Sequence, residues 1–186
     1  NKTDNDEAAE IATKMMKEVD RFVNMTQEVL DFSRGVSDLK LDTVQLSELL
    51  PTVVAFIDQD LSKRDIKIKK EFRYTGKARL DSDKTMRVFH NIAGNAADAM
   101  PEGGTFTIRI DKKDDRLVFE FADTGIGMTE EVRLRAFEPF FTRGKRHGTG
   151  LGLAIVKKII DDHNGTVEIE SEVKRGTTIR LTLPAP

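Results

Sequence analysis

At 186 residues, 38% hydrophobic and 33% charged, the chain can bury the core of one ordinary domain and carry an appendage. Its 30 basic and 32 acidic residues nearly cancel, to a net charge of −2, which argues against bulk nucleic-acid or anionic-membrane binding as the main role. The absence of cysteine excludes disulfides, thiolate metal sites and a cysteine nucleophile, and no apolar run is long enough to span a bilayer. There is no signal-peptide pattern, and a reducing, cytoplasmic setting is compatible with this composition. The first residue is Asn1, so the expectation is a piece of a longer protein, which could be membrane-anchored elsewhere.

From about Glu7 to Arg34 the pattern predicts one long helix. Ile11, Met15, Val19, Phe22, Met25, Val29 and Phe32 recur at three- and four-residue spacing, with no Gly or Pro before Gly35. A stripe this long and narrow needs a partner, and a helical hairpin or dimer bundle is favoured over packing on its own domain. Residues 35–41 read as a hinge. Val44 and Leu46 suggest a short strand, and Ser47 is placed as the cap of a helix running to about Leu61, with Pro51 early enough to be tolerated. Ile66–Phe72 alternates as a strand should. Asp81 and Asp83 cap a helix over Lys84–Met100, and Thr105–Asp111 and Leu117–Ala122 form a hairpin. A short helix is predicted over Glu130–Ala136, and a longer one over Leu151–Asn164, stopped at Gly165. Strands over Thr166–Ser171 and Thr177–Leu183 end the chain. Helices and antiparallel hairpins are mixed without strict alternation, which predicts an α+β fold with a sheet layered against helices.

Four segments carry chemistry. Asn91 and Asn95 are four residues apart on one helix face, with Asp98 a further turn along, among the apolar Val88, Phe89, Ile92, Ala93 and Ala96. Buried amides need partners, and an amide oxygen is a hard-cation ligand suited to magnesium. Asp123-Thr-Gly-Ile-Gly-Met128 follows an apolar strand. As a plain turn it would be unremarked, but a carboxylate beside glycines can also take an exocyclic amine while the backbone closes over a flat ring. Phe137-Glu-Pro-Phe-Phe-Thr142 is either a packing anchor or one end of a lid. Gly148-Thr-Gly-Leu-Gly-Leu-Ala-Ile-Val156 opens a helix and is preceded by Arg143, Lys145, Arg146 and His147. It is neither a dinucleotide fingerprint, because Leu153 stands at the sixth position, nor a P-loop. A basic, glycine-rich loop at a helix N-terminus is nevertheless a triphosphate candidate.

In this order and spacing, HNIAGNAADAM, DTGIGM, FEPFFT and GTGLGLAIV resemble the N, G1, F and G2 boxes of sensor histidine kinases. That family's ATP-binding domain shares a superfamily with type II topoisomerases, heat-shock chaperones and mismatch-repair ATPases. The resemblance spans about residues 40–184. It implies a two-layer α/β sandwich of the Bergerat type, a mixed sheet covered by helices on one face, preceded by the long helix. It also implies two domains. Residues 1–36 would be the second helix of the dimerisation and phosphoacceptor hairpin, and residues 37–186 the catalytic domain. By the same resemblance Asn95 would coordinate magnesium and Asn91 would assist at the phosphates of ATP. Asp123 would take the adenine amine, with Gly125, Ile126, Gly127 and Met128 shaping the pocket. Gly148, Thr149, Gly150, Leu151, Gly152 and Leu153 would meet the phosphates or fix the lid. Asp98, Phe140, Arg143 and Lys145 would lie nearby, and either Thr177 or Thr178 would add a hydrogen bond at the adenine.

The departure is the acceptor. The three histidines, His90, His147 and His163, lie outside the N-terminal helix, so the normal phosphoacceptor is expected on a helix upstream of this sequence. His90 is expected at the pocket edge or surface, His147 in the lid, and His163 as a helix C-terminal group favoured by the dipole. Three functions follow from the resemblance. The first is a histidine kinase catalytic domain serving a partner helix and, through it, a response-regulator receiver. The second is a hydrolytic ATPase or serine kinase of the superfamily. Those place a Glu four residues before the magnesium Asn, and here that position is Asn91, which counts against hydrolysis. The third is a nucleotide-gated module that binds a receiver.

Overall fold

The fold is read from a computed structural model that describes residues 39–142 and 149–185, with residues 11–13, 15, 16, 19, 22, 23, 26, 29 and 30 before them. The chain divides into two compact units, Asn1–Gly35 and Val36–Pro186. In the first unit the described residues are helical, and Ile11, Met15, Val19 and Phe22 are exposed. The rest of the helix expected over 7–34, Met25 and Phe32 included, lies outside the described residues, as does most of the expected hinge. Among the described residues no helix is long and apolar enough to cross a membrane.

In the second unit β1 (Asp42–Gln45) leads into α1 (Leu46–Leu61) and a single 3-10 turn, Ser62–Arg64. Then follow β2 (Ile66–Phe72), β3 (Lys77–Leu80), α2 (Ser82–Ala99), β4 (Gly104–Lys113) and β5 (Arg116–Asp123). The chain ends with α3 (Glu130–Arg135), α4 (Gly152–Asp162), β6 (Thr166–Glu172) and β7 (Gly176–Pro184). The main sheet has the order β2-β4-β5-β7-β6; β2 and β4 are parallel and the other pairs antiparallel. β1 and β3 form a separate antiparallel pair.

Strand alternation sorts the sheet into two faces. One carries Phe106, Ile108 and Ile110 of β4, Phe119 and Phe121 of β5, and Ile179 and Leu181 of β7, all buried. Against it pack Val88, Phe89 and Ile92 of α2 and Ile155, Val156 and Ile159 of α4. Phe89 meets Phe121 edge-on, with ring centroids 4.7 Å apart. Each such side chain contributes about 1.5–3 kcal/mol by leaving water. The other face is charged. Arg109 bonds Glu71 at 2.7 Å and Glu120 at 2.6 Å, and Arg180 bonds Glu120 at 3.0 Å and Glu170 at 3.1 Å. Hydrogen bonds from Lys69 and Arg109 hold the Glu71 carboxyl down at about 2.

Three local expectations are corrected. Leu46 begins the helix instead of extending the strand, and Ser47 is already inside it. The N-cap, Gln45, makes no side-chain bond. The loop after β2 does the capping: Leu46 N–H donates to the Gly76 carbonyl and Ser47 N–H to that of Thr75, each at 3.0 Å. β3 has no counterpart in the pattern reading. Third, His163 is the C-cap of α4, as its place in the sequence suggests, but it is a buried, hydrogen-bonded group and not a solvated helix end. It is only 5% exposed, its Nδ1 lies 2.7 Å from the Ile159 carbonyl, and its Nε2 accepts from Asp81 N–H at 3.0 Å. An N–H can only donate, so Nε2 is the acceptor in this bond and Nδ1 is the nitrogen placed to donate to the Ile159 carbonyl. His163 thereby ties the end of α4 to the start of α2. Asp81 caps α2 through Lys84 N–H and also accepts from Lys40 N–H.

Candidate functional site

Two loops and two helices converge at the ends of β5 and β7. Asp123, the last residue of β5, takes Gly125 N–H at 2.9 Å and Thr177 N–H at 3.2 Å on the same oxygen, Oδ1. Among the described residues nothing bonds Oδ2. Burial pushes this carboxyl above its ordinary value, and the bonds from Gly125 and Thr177 offset that only in part. The loop that follows is strapped down at both sides. Ile126 N–H donates to the Ala99 carbonyl at the end of α2, and the Ile126 carbonyl accepts from Lys174 N–H. Gly127 has φ +66, and a Cβ there would overlap the Glu172 carbonyl, so only glycine fits. A Cβ on Gly125 would come within 2.5 Å of the Ala99 carbonyl oxygen, and Met128 N–H donates to Ser171 Oγ at 2.9 Å. The side chain of Ile126 is exposed.

α2 also presents Asn91 and Asn95. They lie eight and four residues before Ala99, which places them about 12 and 6 Å back along the axis. Opposite them stands Gly152, the first residue of α4. A Cβ built there would lie 3.5 Å from Asn91 Oδ1 and 3.7 Å from Asn95 Nδ2. The N-cap of α4 is Leu151, whose side chain cannot accept a hydrogen bond, and among the described residues no side chain caps the first-turn amides of residues 152–154. Asn91 Nδ2 is buried and has no hydrogen-bond partner among the described residues. Donors on both walls and a positive helix end suit an anion.

The segment leading to α4 is closed at its base. Phe140 N–H donates to the Gly150 carbonyl at 3.0 Å, and a Cβ on Gly150 (φ +71) would come within 2.5 Å of the Phe140 carbonyl carbon. Phe140 itself has φ +65, unusual for a bulky residue, and its ring is 61% exposed. Its backbone, more than its side chain, anchors the loop. The neighbouring ring of Phe141 lies under the Arg135 guanidinium at 4.1 Å. Leu151 is fully buried, Leu153 is half-buried, and Thr149 Oγ1 accepts from Leu151 N–H. Arg143, Lys145, Arg146, His147 and Gly148 lie outside the described residues.

Two candidates are not drawn into this arrangement. Asp98 is exposed and pairs with Arg64 at 3.0 Å. Thr178 pairs with Ala122 and Glu170, on the opposite sheet face from Asp123, because side chains alternate along a strand. Thr177 pairs directly with Asp123 and is 5% exposed. His90 is exposed, its ring 5.5 Å from that of Phe56. Sequence reasoning missed Ser171 and the Ala99 carbonyl: a serine two residues before a turn and a main-chain oxygen carry no motif. Among the described residues no group of three or more His, Asp or Glu could hold a metal. A cation here would rest on an amide oxygen, water and ligand oxygens, which fits magnesium carried by a polyphosphate.

Residues 80–186 match the family described as histidine kinase-, DNA gyrase B- and HSP90-like ATPase, and the chain belongs to that family. Within it, the fold is that of a histidine kinase ATP-binding catalytic domain. The chain is 36% identical over 144 residues to Sporulation kinase C of Bacillus subtilis (strain 168), covering 76% of this chain and 33% of that protein. It is 33% identical over 184 residues to the sensor histidine kinase ZraS of Klebsiella oxytoca, covering 96% and 38%. The structure of full-length ShkA in complex with AMPPNP superposes with a TM-score of 0.80 at 27% identity, over 93% of this chain and 38% of that one. The chain thus spans little more than a third of the length of these relatives.

Proposed function

We propose that this chain binds magnesium-ATP and transfers its γ-phosphoryl group to a histidine on a dimerisation helix outside this sequence, for relay to a response-regulator receiver. The observation that carries the reading is the cleft between α2 and α4. There the Asn91 side chain, whose buried Nδ2 has no partner among the described residues, lies across from Gly152 at an α4 N-terminus that no described side chain caps. Asp123 supports the purine end: its Oδ2 is left to accept the adenine amine, and α2 spans the distance between the two ends. The AMPPNP bound to ShkA supports the same ligand class here.

Asn95 would hold the magnesium, which neutralises phosphate charge when bound. Asn91 and the α4 amides would orient the triphosphate, and Gly125, Ile126, Gly127 and Met128 would enclose the base. Gly148, Gly150 and the basic Arg143 and Lys145 would close the loop over the phosphates, with Leu151 as its buried pivot. Phosphoryl transfer of this kind is positioning and charge stabilisation, with little covalent work for the protein. An imidazole acceptor brings its own lone pair, so the site needs no base. That agrees with an amide at Asn91, where a water- or hydroxyl-activating enzyme needs a carboxylate. Residues 1–36 would be the second helix of the hairpin, with the exposed Ile11, Met15, Val19 and Phe22 meeting a second copy. A need for ATP supports a cytoplasmic location for the domain, whether or not the full-length protein is anchored in a membrane.

The test is thermal unfolding with and without magnesium-ATP, for the wild type and Asn95→Ala. Ligand at about 100 times its Kd adds about 2.7 kcal/mol. The expected result is a clear rise in the wild type and little or none in the variant. No rise in either leaves a nucleotide-free scaffold and sinks the reading.

A further inference from the structure

A residue outside every motif, Ser171, occupies the node next to the purine end of the site; the inference rests on the adenine reading of Asp123. Ser171 pairs directly with Thr177, and Thr177 with Asp123, so the three form one row on the same sheet face across β6, β7 and β5. Ser171 Oγ has three neighbours. It accepts from Met128 N–H at 2.9 Å, lies 3.0 Å from the Gly176 carbonyl oxygen, and lies 2.9 Å from Thr177 Oγ1.

Proton counting gives this node two arrangements, because each hydroxyl owns one proton. When Ser171 donates to the Gly176 carbonyl, Thr177 must donate to Ser171 and offers a ligand only lone pairs. When Ser171 donates to Thr177, the Thr177 proton is released. With Asp123 paired to Thr177 across the strands and its Oδ2 an acceptor, the row then offers an acceptor and a donor. Adenine presents the complement along one edge, an amine donor at N6 and an acceptor at N1. Guanine presents the reverse, a carbonyl at O6 and a donor at N1. Thr177 is buried, so the direction of its proton is not averaged away by water.

We propose that Ser171 is a positioning residue for purine recognition: by handing its proton to Thr177 it turns the Thr177 hydroxyl towards adenine N1 while Asp123 holds the N6 amine. Without Ser171 that hydroxyl has no fixed direction and the Met128 amide loses its acceptor.

The experiment measures Kd by calorimetry, with magnesium, for ATP and for 1-deaza-ATP, which keeps the amine but lacks the N1 acceptor. The proteins are the wild type, Ser171→Ala, Ser171→Thr and Thr177→Val. The wild type should prefer ATP by several-fold, up to about tenfold, the range of one net hydrogen bond. The preference should fall towards one in Ser171→Ala and Thr177→Val, and return in Ser171→Thr, which restores the hydroxyl. A purely structural role for Ser171 weakens both ligands by the same factor and leaves their ratio at the wild-type value; that result overturns the inference, as does a wild-type ratio of one. If the wild type binds neither nucleotide, the adenine reading fails and takes this inference with it. Binding with an unaltered ratio in Ser171→Ala defeats the inference alone.

Discussion

Replacing Gly152 by alanine sets two effects against each other. Gly152 is the first residue of α4 and has ordinary helical geometry, so alanine fits the backbone and lowers the entropy of the unfolded chain. The nearest atoms to its new Cβ would be Asn91 Oδ1 at 3.5 Å and Asn95 Nδ2 at 3.7 Å, both ordinary contacts. The free protein should therefore be unchanged or up to about 1 kcal/mol more stable, a rise in Tm of about 1–4 °C for a domain of this size. The same methyl occupies the gap between the α4 amides and the α2 asparagines. A phosphate oxygen must approach those nitrogens to about 2.9 Å, and a carbon in van der Waals contact with both side chains stands in its way. The wild type at about 100 times Kd should gain about 2.7 kcal/mol, or about 5–10 °C, from magnesium-ATP, and Gly152→Ala should lose most of it. Differential scanning fluorimetry over an ATP titration reads both quantities. Gly127→Ala is the contrasting control: its φ of +66 and the overlap with Glu172 predict a lower Tm before any ligand is added. The reasoning is refuted if Gly152→Ala keeps the wild-type ATP shift, because the gap would then not be where the phosphates lie.

Burial raises the Asp123 carboxyl, so its charged form costs stability above that raised value and protonation relieves the cost as the pH falls. Asp123→Asn should therefore leave the free protein at least as stable at pH 7, by urea titration, while abolishing the ATP shift; a marked loss of free stability contradicts the assignment. Wild-type ATP affinity should have the opposite pH dependence, weakening as the pH drops towards the raised value, because the adenine amine needs the carboxylate. On the open sheet face, Glu71 is held down from 4.5 to about 2 by Lys69 and Arg109. Burial pushes Glu120 up, but Arg109 and Arg180 outweigh it and hold it low. Depressed carboxyls contribute stability above their ordinary value and lose it below, so the urea midpoint should fall between about pH 4.5 and 2, less steeply in Glu71→Gln. His163→Ala orphans the Asp81 N–H and opens a hole between α2 and α4, for a loss of about 3 kcal/mol; a loss under about 1 kcal/mol in urea would show the link to be slack.

Much of the fold was legible because its signals are local. The strands β2, β4, β5, β6 and β7 alternate cleanly, and α2 and α4 carry apolar faces between recognisable ends, Asp81 before one and Gly165 after the other. What escaped depended on distant partners. β3 is four residues, Lys-Ala-Arg-Leu, and becomes a strand only because β1 lies beside it. The start of α1 is set by carbonyls of Thr75 and Gly76, nearly thirty residues away in sequence, so a serine in the right place was mistaken for the cap. His163 was legible as a helix C-terminal group, but nothing local announces that the Asp81 amide will meet it. The candidate site divides the same way. Its glycines and asparagines form patterns, whereas the choice of Thr177 over Thr178 is a matter of strand parity against Asp123.

On the proposed reading, one helix serves both ends of a nucleotide. The carbonyl of Ala99 fixes the loop that follows Asp123, and Asn95 and Asn91 lie one and two turns back, facing α4. Because all three are on α2, the distance from base pocket to phosphate cleft is set by helix rise and does not depend on loop conformation. Phe140 and Gly150 are joined by one backbone hydrogen bond, and the neighbouring Leu151 is buried. On the proposed reading the chemistry is decided at Asn91. Its amide donates a proton and cannot take one from water or a hydroxyl. A site so equipped can hold and orient a triphosphate but must wait for a nucleophile that needs no activation, and a histidine presented by another helix meets that condition.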